Sequence, residues 1–264
     1  DRILNKYLDK DFTDIAEKTF TEKGIKIATS EKVIKFESVN GEVSKVITDK
    51  NEYEAEMVIM CVGFRPNTEI FKGQLDMLPN GAINVDEYMR TSDKDVMAAG
   101  DCCSVFFNPT REHMYIPLAT NAVRMGTLAA INIVENKIKH PGTQGTSGIK
   151  IYENNMASTG ITEEIAKQLG IDADFVYAVD NYRPEFMPTY EKVTLKVVFE
   201  KESRRILGAQ LTSKADLTQS INTISVCIQN NMTVDQLAFV DFFFQPHYNK
   251  PWNFINLSGL NALK

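Results

Sequence analysis

The sequence lacks several features that would place it in a special class of protein. No apolar run approaches the roughly 20 residues that a membrane-crossing helix needs, so a membrane span is excluded. Four cysteines in 264 residues are too few for a disulfide scaffold, and they show neither a C-x-x-C pair nor a metal-ligand spacing. A formal charge of -6 argues against a protein that mainly binds nucleic acid. With 43% hydrophobic and 24% charged residues, the composition is that of an ordinary globular protein of one or two domains.

A glycine-rich dinucleotide-binding loop is also missing. No G-x-G-x-x-G occurs, and the glycines at 142, 145 and 148 have a different spacing and no preceding strand. The chain begins at Asp1 with neither an initiator Met nor an export signal. A helix with one apolar face follows at once, over residues 12–20, and such a face needs a surface to pack on. We therefore expect further residues to precede Asp1 in the protein.

The first half of the chain has the patterns of a mixed α/β fold. Residues 25–27 are predicted to form a short strand, and residues 32–56 antiparallel strands joined by a turn at Asn40-Gly41. Residues 57–62 are uninterruptedly apolar, which is typical of a parallel strand buried on both faces. A second short apolar strand is predicted at 96–99, and a helix over residues 118–135.

The second half is predicted to be an α+β module that could fold alone. It follows a Gly/Ser/Thr/Pro-rich segment at 140–148, which is the best candidate for a domain boundary. Thr162 and Thr233 are predicted to cap helices, the latter in a capping box with Gln236. Five strands are predicted near residues 149–153, 156–160, 174–180, 192–200 and 205–212, and a helix with an apolar face over 217–228.

Asp101 is the most informative single residue. It directly follows Gly100 at the carboxyl end of the predicted strand 96–99, where open α/β sheets bind ligands. A carboxylate there can accept hydrogen bonds from two neighbouring hydroxyls, and Gly100 allows the backbone to approach a ligand closely. The alternative is that Asp101 only caps a turn or a helix.

A helix start at 117–121 is the second candidate site. Pro117 suits the beginning of a helix, and the free N–H groups of the first turn can bind an anion. Pointed at a flavin, they would stabilise the negative charge that develops at the pyrimidine end of the ring during reduction. The alternative is a helix start without a ligand.

Two further features allow both a structural and a functional interpretation. The adjacent Cys102 and Cys103 are either two buried thiols or a redox-active pair beside a ligand site, and they are poorly placed for a structural disulfide. The aromatic segment 242–248 is either buried in a core or subunit interface, or reaches across a dimer to a neighbour's cofactor pocket.

Three motifs resemble those of the pyridine nucleotide-disulfide oxidoreductases. The run 91–101 (TSDKDVMAAGD) is similar to their second FAD motif, 61–67 (CVGFRPN) to the segment that returns from the NAD domain, and 118–122 (LATNA) to the flavin-facing helix start. The resemblance extends along the whole chain and is closest to bacterial NADH oxidases and NADH peroxidases. It implies partial NAD- and FAD-binding Rossmann-like domains over residues 1–63 and 64–144, and a dimerisation domain over 145–264.

The resemblance also implies roles for individual residues. Asp101, with Gly100, would bind the ribityl chain of FAD, and the backbone of Leu118, Ala119 and Thr120 would face the flavin ring. Tyr7 would cover NADH, and Gly63 and Gly148 would also line the NADH site. Phe244 would reach the flavin pocket of the partner subunit at the dimer contact.

The implied reaction is hydride transfer from NADH through FAD and a redox cysteine to oxygen. The family's two glycine loops and its redox cysteine lie upstream of the segment that matches Asp1, and none of the four cysteines here takes that position. The family resemblance leaves NADH peroxidase and CoA-disulfide reductase as alternatives, and a non-catalytic dimerisation module for this chain alone.

The expected partners and surroundings follow from the same resemblance. We expect a homodimer through residues 145–264 that could pair into a tetramer, NADH with oxygen or peroxide as substrates, and neither nucleic acid nor membrane as a partner. A cytoplasmic location is expected from the missing export signal and from NADH chemistry. The isolated chain is expected to bind FAD weakly and not to oxidise NADH.

Overall fold

The computed structural model describes residues 2–264, so only Asp1 of the predicted first domain lies outside the described residues. The first half contains α1 (Lys10–Glu22), β1 (Val33–Val39), β2 (Glu42–Thr48), β3 (Glu52–Glu54), β4 (Val105–Phe107), β5 (Glu112–Met114) and α2 (Ala119–Ile131). The second half contains β6 (Ser147–Ile151), β7 (Asn154–Gly160), α3 (Glu163–Gln168), β8 (Ala173–Asn181), β9 (Lys192–Glu200), β10 (Ile206–Ser213), α4 (Ile221–Gln229), α5 (Val234–Ala238) and α6 (Phe254–Asn261).

The helix predicted over residues 12–20 is confirmed as α1. Its apolar face buries Phe12 and Ala16, which pack against Ile151 of β6 and Met156 of β7. The first helix is therefore held by the sheet of the second half. The strand predicted at 25–27 does not form, since these residues pair with no other strand of the described chain.

The predicted turn at Asn40-Gly41 is confirmed. Both residues have positive φ, +55° and +84°, which is the conformation that a two-residue turn between twisted antiparallel strands requires. The turn joins β1 to β2, and β3 adds to β2 to give a three-stranded antiparallel sheet.

The prediction of a doubly buried strand at 57–62 is wrong for the described residues. The segment is irregular, and the side chains of Met57 and Val62 are 76% and 85% exposed. A parallel strand is buried only when strands flank it and helices cover both faces, and residues 2–264 place none of these around it. The strand predicted at 96–99 is likewise reduced to an isolated bridge between Arg90 and Met97.

The second half is built on a five-stranded antiparallel sheet with the order β6-β7-β10-β9-β8. Along β9, Val193, Leu195, Val197 and Phe199 pack in one core and Val198 in another on the opposite face, as expected for a pleated strand. One face of the sheet packs against α4, α5 and α6 in the largest core, which includes Leu195, Leu211, Ile224 and Leu237. The other face supports α1 and α3. All five predicted strands and the helix over 217–228 are therefore present.

Helix ends in this half follow the predicted capping chemistry. The Thr162 hydroxyl accepts a hydrogen bond from the Ile165 N–H at 3.1 Å, and Thr233 and Gln236 form the complete capping box at the start of α5. Helix α6 and the short strands β4 and β5 were not predicted.

Residues 140–148 form a packed connection between the halves. His140, Thr143 and Gln144 are buried, and Thr143 bridges to Phe107 at the end of β4. Parallel pairing in the described residues is limited to that bridge and one between Ile83 and Cys103. Among residues 2–264 no helix has the length and apolar character needed to cross a membrane.

Candidate functional site

Helix α2 begins without a side chain to satisfy its first N–H groups. Leu118 is the N-cap residue and has no side-chain acceptor, and Pro117 precedes it. The first N–H groups of an α-helix have no acceptor inside the helix. The start of α2 therefore presents free donors and the positive end of the helix dipole.

Gly100 and Asp101 lie beside this helix start. A Cβ on Gly100 would come 3.6 Å from the Cβ of Ala122, and the φ of +86° favours glycine at this position. The close packing of Gly100 on α2 brings the next residue, the exposed Asp101, to the same edge of the molecule. The structure thus places the two strongest sequence candidates together.

A cavity of about 500 Å³ opens in front of Pro117 and Leu118. Its lining brings Tyr7 and Gly63 together with Leu118, although the three are far apart in sequence. Two buried polar atoms at this cavity, Tyr115 Oη and Gln144 Nε2, have no hydrogen-bond partner within residues 2–264. Buried polar groups are rarely left unsatisfied, so these two atoms fit a bound group with its own hydrogen-bonding atoms.

The surroundings of Tyr115 at the same site shift the pKa of its hydroxyl. Partial burial raises the pKa of its hydroxyl, and the negative charge of Asp101 raises that pKa further. The phenol therefore stays protonated at neutral pH and can donate a hydrogen bond into the cavity.

A smaller apolar cavity of about 180 Å³ adjoins the first. Tyr7 and Leu118 line both, and Gly148 of β6 with Met156 and Ala157 of β7 forms the opposite wall. A Cβ on Gly148 would lie 3.5 Å from the Met156 carbonyl oxygen, which is an ordinary contact. A Cβ there would therefore meet no clash within the chain. The cavity has the apolar walls and half-exposed aromatic ring that suit a planar ring of a ligand.

Asp9 anchors the segment that carries Tyr7. Its carboxylate accepts hydrogen bonds from the N–H groups of Glu163 and Glu164 at the start of α3 and from the Gln210 amide at 2.6 Å. The Lys196 ammonium lies 2.9 Å from the same carboxylate. Although Asp9 is the N-cap residue of α1, its side chain does not cap that helix and instead caps α3.

Lys196 holds three carboxylates at once. Its Nζ lies 2.7 Å from Glu163, 2.9 Å from Asp9 and 3.7 Å from Asp11, and only 1% of its side chain is exposed. Burial acts to raise the pKa of Asp9, but hydrogen bonds from Lys196 and Gln210 outweigh it, so the pKa is lowered. Asp9 and Lys196 are therefore both charged at neutral pH, and their pair ties Tyr7 to β9 and β10.

The remaining predicted site residues are more scattered. Ala119 is the first residue of α2, and Thr120 lines a separate polar cavity of about 350 Å³ between α2 and α4. Phe244 lies half-exposed on the surface, away from these cavities. The expectation that segment 242–248 is buried is not met within the described chain, where Phe243 and Tyr248 are also exposed.

Three residues of this region were missed by the sequence reasoning. Tyr115 and Gln144 carry no local pattern that marks them, because their cavity forms only in the fold. Lys196 did carry a signal, since a lone lysine in an apolar strand must find a buried partner. No group of His, Cys, Asp or Glu in the described part of the chain is arranged to hold a metal ion.

Comparison with known proteins agrees with the resemblance found in the sequence. Residues 1–126 match the pyridine nucleotide-disulphide oxidoreductase family, and residues 146–253 match the dimerisation domain of that family. The chain is 56% identical over its whole length to an NADH oxidase of Enterococcus faecalis and 46% identical over 99% of its length to one of Streptococcus pyogenes. This chain spans 59% of the length of the E. faecalis protein and 58% of the length of the S. pyogenes protein.

A solved structure gives the same result for the fold. The water-forming NADH oxidase from Lactobacillus brevis, bound to NADH, superposes with a TM-score of 0.96 at 48% identity, and the match covers 99% of this chain and 58% of that one. Together these matches confirm the mixed α/β fold followed by an α+β domain. The chain belongs to the pyridine nucleotide-disulphide oxidoreductase family.

Proposed function

We propose that this chain is part of an FAD-dependent NADH oxidase. The observation that carries the proposal is the meeting of Tyr7, Gly63 and Leu118 around one cavity, where the buried atoms Tyr115 Oη and Gln144 Nε2 lack hydrogen-bond partners within residues 2–264. The similarity to NADH oxidases along the whole chain supports it. The division into domains at 1–63, 64–144 and 145–264 is part of the proposal.

The residues around α2 suit a flavin. Asp101 would accept hydrogen bonds from ribityl hydroxyls, with Gly100 allowing the close approach. The free N–H groups at Leu118, Ala119 and Thr120 would stabilise negative charge at the pyrimidine end of the ring. FAD supplies the acceptor for a hydride from NADH.

The adjoining apolar cavity suits the nicotinamide end of NADH. Tyr7 would lie over the nicotinamide, with Gly63 and Gly148 as the close backbone walls. The Asp9–Lys196 pair would hold the Tyr7 segment in position and keep water from entering between α1 and the sheet. Proximity of this kind aligns donor and acceptor for transfer.

Oxygen is the proposed acceptor, with water as the product. The names of the relatives favour it, including the water-forming enzyme of L. brevis. NADH peroxidase and CoA-disulfide reductase activities are the alternatives that an assay must separate. A redox cysteine is proposed to lie outside this sequence, and the isolated chain, which has no G-x-G-x-x-G loop, is proposed to be inactive.

The proposed assembly is a cytoplasmic homodimer formed through residues 145–264, and sedimentation tests whether two dimers pair into a tetramer. Phe244 would then reach the flavin pocket of the other subunit. The exposure of Phe243 and Tyr248 supports a contact at this segment, because exposed clusters of large apolar side chains mark interaction surfaces.

Flavin content tests the site directly. The full-length protein and its Asp101→Ala variant are purified, and the flavin released per chain is measured by absorbance. We expect Asp101→Ala to lose most of its flavin, whereas Asp95→Ala, an exposed carboxylate in the same motif, keeps it. Equal flavin content in both variants would remove Asp101 from the site.

Tyr7→Ala is expected to raise KM for NADH while the flavin stays bound.

A further inference from the structure

The side chains of Cys102 and Cys103 face each other although the residues are adjacent in sequence. Their Sγ atoms are 3.3 Å apart, within reach of a sulfur hydrogen bond. Successive side chains in extended backbone point to opposite faces, so this geometry depends on the turn that follows Gly100. Both thiols are free.

The two thiols differ in exposure and in acidity. Cys102 is half-buried, whereas Cys103 is 3% exposed and packs in the core with Val105 and Met125. The hydrogen bond from Cys103 lowers the pKa of Cys102 below that of an ordinary thiol, although burial and the charge of Asp101 oppose it. The same hydrogen bond, together with burial, raises the pKa of Cys103. Cys102 is therefore the more acidic of the two thiols, and Cys103 the less acidic.

We propose that Cys102 and Cys103 form a reversible peroxide-sensitive pair, in which Cys102 is the sulfur oxidised first and Cys103 resolves it to a vicinal disulfide. This proposal concerns a modification site separate from the hydride transfer, and it does not rest on the proposed function. The oxidant is hydrogen peroxide.

The chemistry balances in two steps. The Cys102 thiolate attacks one peroxide oxygen and the O–O bond breaks, so that sulfur is oxidised to a sulfenic acid and the released hydroxide takes a proton to become water. The Cys103 sulfur then attacks the Cys102 sulfur, the S–S bond forms and the S–O bond breaks. The leaving hydroxide takes the Cys103 proton and becomes a second water.

The product is expected to be easily reduced. Neighbouring Cα atoms are about 3.8 Å apart, shorter than the roughly 4.4–6.8 Å of ordinary disulfides. A bridge between them is strained, and strained disulfides are the labile ones. A mild dithiol should therefore restore both thiols, as a regulatory site requires.

Peptide mapping of the peroxide-treated chain tests the proposal. Trypsin releases residues 95–111 between Lys94 and Arg111, and this peptide holds Cys102 and Cys103 and neither of the other two cysteines. After alkylation we expect an unalkylated peptide that has lost two hydrogen atoms, and two alkyl groups when a dithiol is added before alkylation. Oxidation of Met97 in the same peptide adds an oxygen atom instead and is told apart by mass.

Two variants separate the roles of the sulfurs. In Cys103→Ser we expect oxidation to stop at the sulfenic acid of Cys102, which dimedone captures. In Cys102→Ser we expect Cys103 to stay reduced. The exposed Cys61 and the buried Cys227 serve as internal references for an accessible and an inaccessible thiol.

Two results would overturn the proposal. One is a wild-type peptide that carries two alkyl groups after peroxide treatment. The other is oxidation of Cys102 straight to sulfinic acid at the same rate in wild type and Cys103→Ser, because a resolving thiol must compete with overoxidation. Circular dichroism of each variant confirms that it is folded.

Discussion

The ammonium of Lys196 lies 2.9 Å from the carboxylate of Asp9, and both side chains are almost completely buried. This ion pair joins the start of α1 to the sheet of the second half, across 187 positions of sequence. Each charge has been removed from water, and each is compensated by the other and by hydrogen bonds from Gln210 and to Glu163. The pair therefore fixes how the Tyr7 segment lies against β6 and β7.

Loss of Lys196 should be strongly destabilising. In Lys196→Met the Asp9 charge stays buried without its counter-ion, which costs about 3–5 kcal/mol for buried pairs. Urea unfolding followed by circular dichroism measures the loss. Asp14→Asn breaks the exposed pair between Lys10 and Asp14 and should cost at most about 0.5 kcal/mol. A similar loss in both variants would show that the buried pair does not hold the segment.

The same pair gives stability a defined pH dependence. The pKa of Asp9 is lowered in the folded chain, so its contribution is present above the unfolded pKa of about 4 and is lost as the pH falls through the folded value. Lys196 stays charged throughout this range. We expect the free energy of unfolding of Asp9→Asn to fall less between neutral pH and acid than that of the wild type. Parallel pH profiles would contradict the lowered pKa.

Gly160 and Gly170 make a matched pair for testing backbone packing. Both have positive φ, +71° and +69°, but a Cβ on Gly160 would lie 2.1 Å from the Leu207 carbonyl oxygen, whereas no atom lies within 4 Å of one on Gly170. Gly170→Ala should cost about 1–2 kcal/mol from its left-handed backbone. Gly160→Ala should cost a further ~1–3 kcal/mol, because β10 must move. Thermal unfolding compares the two, and equal costs would contradict the crowding.

The exposed aromatic segment 242–248 should contribute to self-association. A charge in a desolvated interface is costly, so Phe243→Asp is expected to raise the dimer dissociation constant by at least tenfold. Ile70→Asp introduces the same charge at a comparably exposed site in the first half and should leave association unchanged. Sedimentation of both variants at several concentrations measures their dimer dissociation constants. A dimer that is unaffected by Phe243→Asp would place the interface elsewhere.

Local patterns in the sequence were sufficient for the five strands of the second half, for the starts of α3 and α5 and for the turn between β1 and β2, but not for α6. Thr162 and Thr233 cap α3 and α5, and Asn40-Gly41 forms the turn between β1 and β2, so the cause of each of these features lies within a few residues of it. The prediction of a buried strand at 57–62 was wrong because burial of an apolar strand depends on neighbouring elements, and the described chain does not provide them.

The residues of the candidate site also fall into two groups, those predicted from local sequence features and those recognised only in the fold. Asp101 and the start of α2 were found because a carboxylate after a glycine and a proline before a helix are local features. Tyr115 and Gln144 became visible only as buried atoms without partners, which is a property of three-dimensional packing. The partner of Lys196 could not be assigned either, since Asp9 lies in another element far along the chain.

Oxygen consumption by the full-length protein tests the central claim most directly. With NADH in an oxygen electrode, the account predicts that two NADH are oxidised for each O₂ consumed and that catalase added afterwards returns no oxygen. Return of oxygen on addition of catalase would contradict water as the product. Failure of NADH to drive any oxygen uptake, with peroxide or a CoA disulfide consumed instead, would contradict the proposed oxidase function.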